Sequence, residues 1–219
     1  MSPIKLRSIL WFAIGALLVS APARGGGLEV WNTTELTLRN AGRLRWSVFG
    51  VVRTRNHLTH AYDFRLGSQL AIVVSPRFSV TTGYLRRRLD PTRLQPHWEN
   101  RVYATPSVIL AARPLEFKAL SIVERNFGIP GGPGYNRYRP RVELERRRKR
   151  ISPFLAEEFT FRREGFVRSR SAAGVRWRAE SNVTFEVAYQ FDTIRTGQAW
   201  RPRHALRTVL TFGLPQEQH

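Results

Sequence analysis

Apolar and polar side chains alternate along much of the chain. The clearest case is the segment 183–192, where every second residue is apolar: Val183, Phe185, Val187, Tyr189 and Phe191. A period of two residues places the apolar side chains on one face of a β-strand and the polar ones on the other. The segment 62–74 repeats this pattern, so the alternation predicts strands with one apolar and one polar face.

The same criterion predicts eleven strands. Their ranges are 28–39, 43–55, 60–74, 77–88, 98–112, 115–127, 136–148, 152–163, 166–179, 182–194 and 203–214. These segments are longer than the strands of soluble proteins, which usually have about five or six residues. A strand that crosses a membrane with a tilt needs about 9–11 residues. Strand length therefore favours a transmembrane β-barrel over a soluble β-sandwich.

The predicted connections alternate between short and long. Tight turns are predicted at 40–42, 75–76, 113–114, 149–151 and 180–181, and longer loops at 56–59, 89–97, 128–135 and 195–202. The short connection at 164–165 is an exception. Outer-membrane barrels have short periplasmic turns and longer outer loops, so the alternation indicates an up-and-down barrel with its tight turns in the periplasm.

The number of strands is a difficulty for this interpretation. Eleven strands cannot close with antiparallel neighbours throughout, and bacterial single-chain barrels have even strand counts. Either the segment 28–39 is not a wall strand, which leaves ten, or one strand is missing, which gives twelve. We therefore expect an all-β fold, an antiparallel up-and-down transmembrane β-barrel of about 10–12 strands.

Aromatic residues on the apolar faces lie towards the strand ends, and Val, Leu, Ile and Ala fill the middles. Two aromatic belts that flank an aliphatic band are typical of the two membrane interfaces. The alternative explanation is that aromatic residues simply favour strands. The predicted aromatic girdle consists of Trp46, Tyr62, Phe78, Tyr84, Tyr138, Phe161, Trp177, Tyr189, Phe191 and Phe212.

The N-terminal segment has the features of a secretory signal peptide. Lys5 and Arg7 precede an apolar run at 9–19, and Ala21, Pro22 and Ala23 fit the small-residue pattern of a cleavage site. The apolar run is too short to cross a bilayer, which needs about 20 residues. We expect removal of the signal peptide, residues 1–23, which leaves 24–219 as an exported, single-domain barrel.

Charge composition narrows the remaining function classes. The formal net charge is +20, from 36 Lys and Arg residues against 16 Asp and Glu residues, and the chain has no cysteine. Such a basic chain could be an exported nucleic-acid-binding protein, but its basic residues are spread over every strand, so no nucleic-acid partner is expected. The histidines are not at ligand spacing, so neither a metal site nor a cofactor is expected.

The charged faces of the strands are expected to point into the barrel. A charge on the lipid face costs about 2–4 kcal/mol near the membrane midplane. The segment 137–145 illustrates the pattern, because Arg and Glu at odd positions alternate with Tyr138, Val142 and Leu144. The predicted lumen-facing charge network contains Glu99, Arg101, Arg139, Arg141, Glu143, Glu145, Glu158, Arg168, Arg170, Arg176, Arg178 and Glu186, with Asp63, Asp192, Arg53, Arg65 and Arg207 on the same inward faces.

Two functions are compatible with such a lumen. A ladder of ion pairs could fill a narrow barrel and make it structural. Rings of arginine could instead form a small channel that favours anions, in which case a small solute or anion would be the partner. The run "RRRKR" at 146–150 is expected at the periplasmic rim, where anionic headgroups lie.

The alternative function is that of an outer-membrane enzyme, a hydrolase or acyltransferase that acts on lipid. It would need a nucleophile and a base within hydrogen-bond reach. His204 could meet Ser169 or Ser171 only through folding, and the chain has no G-x-S-x-G motif. No catalytic residue is assigned.

Several segments, in this order along the chain, resemble the DUF2490 family: "VWNTTELTLR", "TTGYLRRR", "HWENRVY", "NRYRPRVELERR", "FLAEEFTF", "SRSAAGVRWR", "FEVAYQFD" and "RHALRTVLTF". Members of that family are Gram-negative proteins regarded as outer-membrane β-barrels of undetermined function. The resemblance implies the outer membrane of a Gram-negative bacterium, with outer-membrane lipid and the barrel-insertion machinery as partners. The chain departs from the common barrel ending in an aromatic residue, since "GLPQEQH" follows Phe212.

Overall fold

The computed structural model describes residues 28–55, 60–90, 95–112, 114–128, 134–148, 150–180 and 182–213. The signal peptide predicted at 1–23 lies outside these residues. Among the described residues, no helix is long and apolar enough to cross a membrane.

The described chain folds into eleven β-strands of 12–16 residues. The strands are β1 (Glu29–Ala41), β2 (Leu44–Arg55), β3 (His60–Ser75), β4 (Phe78–Leu89), β5 (His97–Ala112), β6 (Leu115–Phe127), β7 (Tyr135–Arg146), β8 (Ile151–Arg162), β9 (Gly165–Glu180), β10 (Val183–Thr196) and β11 (Ala199–Gly213). Ten of them begin and end close to the ranges predicted from the alternation. The eleventh begins at Ala199 instead of residue 203.

The strands form one closed barrel in which each strand is antiparallel to the next. The ring is completed by a parallel pairing of β1 with β11, from Glu29 opposite Ala205 to Thr37 opposite Gly213. The predicted closed, all-β barrel is therefore confirmed. The expectation of an even count, ten or twelve, is wrong: β1 is a wall strand. With eleven strands, β1 and β11 run in the same direction, and a parallel ladder still satisfies the backbone groups of both edges.

The connections lie at two ends of the barrel, which we call the short-turn end and the loop end. The short-turn end carries the β1–β2, β3–β4, β5–β6, β7–β8 and β9–β10 connections, and the loop end carries the other five. The long loop predicted at 195–202 is wrong, because β10 and β11 meet in a tight turn. Gly197 adopts a φ of 63° there, a conformation that tight hairpin turns require and glycine tolerates.

Burial in the barrel is the reverse of that in a soluble protein. Leu66 and Leu155 are 60% and 59% exposed on the outer face, whereas Asp63 and Asn126 are 1% and 0% exposed inside. Soluble proteins bury their large apolar residues and leave carboxylates in water. The two faces therefore match the apolar-out, polar-in pattern of the sequence prediction.

The aromatic residues predicted as a girdle fall into three groups. Trp46, Tyr84, Tyr138, Phe161, Tyr189 and Phe191 are exposed on the outer face. Phe78, Trp177 and Phe212 are half-buried. Tyr62 is the exception, because it is only 8% exposed.

The girdle prediction is wrong for Tyr62, which lies inside the barrel. The β2–β3 register shifts here: Arg53 faces Asp63, but Thr54 faces Ala61. A β-bulge adds one residue to one strand and so changes the face of its side chain. Tyr62 therefore points inwards beside Asp63 and donates a hydrogen bond to Glu29 Oε2 at 2.6 Å.

Candidate functional site: the charged barrel interior

All twelve charged residues of the predicted lumen network form ion pairs within the barrel. The pairs connect side chains from β4 to β11. Because alternate residues of every strand point inwards, charges that are distant in sequence become neighbours at the same height of the barrel. Three clusters and one aromatic ring organise these contacts.

The first cluster surrounds Asp63 on β3. Arg65 donates to its two carboxylate oxygens at 3.0 and 2.6 Å, and Arg87 donates to both at 2.9 Å. Arg53 approaches to 3.6 Å, since the β2–β3 register places it opposite Asp63. Arg87 also donates to Glu99 at 3.2 Å. A single carboxylate thus holds three arginines from three adjacent strands.

The second cluster centres on Glu124 and Glu158. Arg139 of β7 lies between them and donates to Glu124 Oε1 at 2.8 Å and to both oxygens of Glu158 at 3.0 and 2.8 Å. Arg137 pairs with Glu124 as well. Arg170 extends this cluster to β10 by donating to Glu158 at 3.1 Å and to Asp192 at 3.0 Å. The chain of ion pairs therefore continues from β6 to β10.

The Trp31 side chain lies at the point where these charges converge. Its ring lies 3.8, 5.8, 5.1 and 5.2 Å from the guanidinium carbons of four arginines, namely Arg53, Arg168, Arg170 and Arg203. A guanidinium over an indole is a favourable cation–π contact. The indole Nε1 donates to Glu29 Oε2 at 2.8 Å, so both the ring face and its polar edge have partners.

The third cluster lies nearer the short-turn end. Arg176 donates to Glu143 at 3.1 Å and to Glu186 at 3.1 and 2.6 Å, and it also pairs with Glu145. Its guanidinium carbon lies 4.9 Å from the ring of the buried Phe154. This cluster therefore repeats, at a second height, the combination of an inward aromatic ring with arginines and carboxylates.

Many polar side chains of the interior are almost completely buried. Among those that are at most 2% exposed are Asp63, Asn126, Glu158, Gln190 and Asp192. They belong to β3, β6, β8 and β10, so they come from opposite parts of the ring. Polar side chains with so little exposure on several sides of the barrel indicate dense packing around these positions.

The sequence does not predict several members of this interior, namely Glu29, Arg87, Glu124 and Arg203, nor the position of Trp31. Glu124 could have been found, because β6 alternates between Glu116, Lys118, Glu124 and Asn126 on one face and apolar residues on the other. Arg203 was obscured by the loop predicted up to residue 202. No sequence signal predicts that Trp31 lies among four arginines. The contact forms only when β1, β2, β9 and β11 come together in the barrel.

The outer face near β11 does not assemble a hydrolytic site. His204 hydrogen-bonds to Tyr189 and lies 5.2 Å from the Phe191 ring. Phe191 faces both Ser171 and His204 across its two neighbouring strands, so its side chain separates them. Ser169 donates to Glu157 at 2.7 Å. Among the described residues no serine hydrogen-bonds to a histidine, as a nucleophile would to its base.

Metal-ligating residues do not gather anywhere in the described ranges. No group of three or more His, Asp or Glu side chains there has the arrangement of a metal site. The carboxylates of the three clusters are instead directed at arginines.

One family model matches most of the chain. The family model described as protein of unknown function, DUF2490, matches residues 28–203, about four-fifths of the chain. The chain belongs to the DUF2490 family. The match begins at β1 and reaches into β11, so this family unit covers most of the barrel. A search of curated proteins returns no match to the chain.

Proposed function

We propose that this DUF2490 protein is an outer-membrane β-barrel of a Gram-negative bacterium, with an interior closed by its own ion pairs. It serves as a structural element of the membrane rather than as an open anion channel. The observation that carries the proposal is the set of interior polar side chains at 0–2% exposure. Because these side chains are so deeply buried, we expect no continuous water path for a solute.

Three features of the wall support the membrane location. Strands of 12–16 residues exceed the roughly 9–11 needed to cross a bilayer with tilt. The outer face carries large exposed apolar residues such as Leu66, Leu110 and Leu155. Exposed aromatic residues, including Trp46 and Tyr189, supply rings of the kind that lie at membrane interfaces.

The short-turn end carries a basic rim that suits a membrane surface. Arg146, Arg147, Arg148 and Arg150 are exposed there, and Lys149 of the same run lies outside the described residues. Arg147 pairs with Glu116 at 2.7 Å, yet its side chain is 59% exposed. Long basic side chains of this kind reach towards anionic headgroups.

The ion pairs also explain how the barrel is held together without disulfides. The chain has no cysteine, and its apolar side chains lie mostly outside. Removing one partner of a buried ion pair costs about 3–5 kcal/mol, because the other charge stays buried and unpaired. Because the network joins neighbouring and distant strands, it raises the free energy needed to separate any two paired strands.

The proposal is tested by planar-bilayer recordings on the purified, refolded chain 24–219, with a general porin as the positive control. Flotation with liposomes establishes that the protein has inserted. We expect no stepwise conductance from inserted protein at neutral pH. Steady, anion-selective steps would contradict the closed interior and would favour the anion channel. Recovery of the native protein in the soluble periplasmic fraction would contradict the membrane location.

A further inference from the structure

A cavity of about 390 Å³ opens at the loop end of the barrel. Its lining includes four arginines, Arg137, Arg162, Arg168 and Arg195, and one carboxylate, Glu164. Thr160 and Arg168 point into the barrel and close the cavity from below, whereas Arg162, Glu164 and Arg195 are exposed at its rim. The cavity is therefore a positively charged vestibule above the charge network.

The two rim arginines differ from the arginines of the interior clusters. Arg162 stacks on the Tyr135 ring at 4.5 Å, and Arg195 donates through Nε to the carbonyl oxygen of Gly197 at 3.2 Å. Within the described ranges neither of them forms an ion pair, whereas Arg137 pairs with Glu124 and Arg168 with Asp192. The rim guanidinium groups are therefore oriented by neutral partners and keep their charge uncompensated.

Arginine donors without a partner lie between the vestibule and Trp31. The Nε–H groups of Arg53, Arg168 and Arg203 are buried without a hydrogen-bond partner. All three guanidinium groups lie over the Trp31 ring, and Arg168 also lines the vestibule. Buried donors without acceptors are rare, and each one calls for a physical explanation. An anion above Arg168 would supply negative charge where the network lacks it.

We propose that the vestibule is a binding site for a phosphate group, held by Arg162 and Arg195 at the rim and by Arg168 at the floor. The guanidinium fork matches the oxygens of a phosphate in two parallel hydrogen bonds. The cavity volume falls within the roughly 300–1,000 Å³ of small-molecule sites, so the site takes a small phosphate-bearing molecule or a headgroup.

Two sources share this chemistry: free phosphate or a soluble phosphate ester, and the phosphate of a lipid headgroup at the membrane surface. The inference goes beyond the closed structural barrel proposed above, because a barrel with a sealed interior can still bind a ligand at its mouth. Phosphate binding is also measurable in detergent, so its failure and the failure of the membrane location are distinguishable.

The test is calorimetric titration of inorganic phosphate into the refolded chain 24–219 in a zwitterionic detergent. The variant Arg162→Gln/Arg195→Gln removes the rim charges without touching an ion pair of the interior. The matched control is Arg86→Gln/Arg88→Gln, which removes two exposed charges from the loop-end half of β4. We expect the vestibule variant to weaken phosphate binding about tenfold or more, which corresponds to loss of about 1.4 kcal/mol, and the control to match the unmodified protein.

A second arm identifies the source. The titration is repeated in nanodiscs of phosphatidylcholine with and without phosphatidic acid, whose headgroup is a phosphate monoester. Competition by phosphatidic acid supports the site with a lipid headgroup as occupant, and unchanged phosphate binding supports it with a soluble occupant. The proposal is overturned if the unmodified protein binds no phosphate, or if the vestibule and control variants weaken binding equally, which would be general surface attraction.

Discussion

Arg139 binds Glu158 through two parallel hydrogen bonds, from Nε to Oε1 at 3.0 Å and from Nη2 to Oε2 at 2.8 Å. The pair joins β7 to β8 where the backbone ladder is interrupted: successive partners are Tyr138 with Phe161 and then Arg141 with Glu158. Pro140 lies in this gap and has no N–H to donate. The side-chain pair therefore connects the two strands at a place where they form fewer backbone hydrogen bonds.

Replacing Glu158 by Gln is expected to lower the free energy of unfolding by about 3 kcal/mol, because Arg139 and Arg170 each lose one of their two carboxylate partners while they stay buried. The measurement is guanidinium unfolding in detergent, followed by tryptophan fluorescence. Glu157→Gln is the matched control, since the neighbouring carboxylate faces outwards and, among the residues that the structure describes, accepts a hydrogen bond only from Ser169. It should lose about 1 kcal/mol. Equal losses for the two variants would contradict the importance of the buried pair.

Trp31→Ala is expected to destabilise the barrel by about 3–5 kcal/mol, the usual cost of deleting a large buried aromatic side chain. The variant also removes the cation–π contacts that the ring makes with four arginines. Trp46→Ala is the control, because Trp46 is 46% exposed on the outer face. Thermal loss of heat-modifiable gel mobility measures both. A larger effect at Trp46 would show that the interior stack contributes little.

Tyr62→Phe tests the bulge that turns this residue inwards. The variant removes the hydroxyl that donates to Glu29 at 2.6 Å, and a hydrogen bond to a charged group contributes about 1.5–3 kcal/mol. Tyr84→Phe removes a hydrogen bond of the same length, to Asn100, on the exposed face. Unfolding of the two variants in detergent should show the larger loss for Tyr62. If Tyr62 faced lipid, the order would be reversed or the losses equal.

Local alternation was sufficient to predict the strands and most of their faces. A two-residue period depends only on backbone geometry, so Phe64 and Leu66 are exposed and Asp63 is buried as the pattern requires. The same pattern separated Arg139 and Glu143 from Tyr138 and Val142. It failed at Tyr62, because a bulge depends on pairing with the neighbouring strand and leaves no clear signal in one segment.

Pairing across strands could not be predicted from the sequence. The three arginines at Asp63 come from three strands, and their meeting depends on the β2–β3 and β3–β4 registers. The parallel pairing of β1 with β11 could not be predicted for the same reason. Alternation identifies β1 as a strand, but only the closed ring shows that β11 can pair with it. The tight turn at Gly197 was missed because Pro202 and the polar residues around it resemble a loop.

The absence of cysteine from the chain allows a direct test of the central claim, a barrel closed by β1 and β11 in the outer membrane. Asn32 and Thr208 are register partners whose side chains hydrogen-bond to each other. Cysteines at such paired positions come within the roughly 4.4–6.8 Å between Cα atoms that a disulfide needs. The control is Asn32→Cys/Phe212→Cys, which displaces the second cysteine by four residues, or about 13 Å along a strand.

The decisive measurement is the gel mobility of Asn32→Cys/Thr208→Cys protein from the outer-membrane fraction, denatured with and without reductant. We expect a chain that is circularised by a disulfide and changes its mobility on reduction, and a control pair that stays reduced. Free thiols in the Asn32→Cys/Thr208→Cys protein, or its recovery from the soluble fraction, would contradict a closed barrel in the outer membrane.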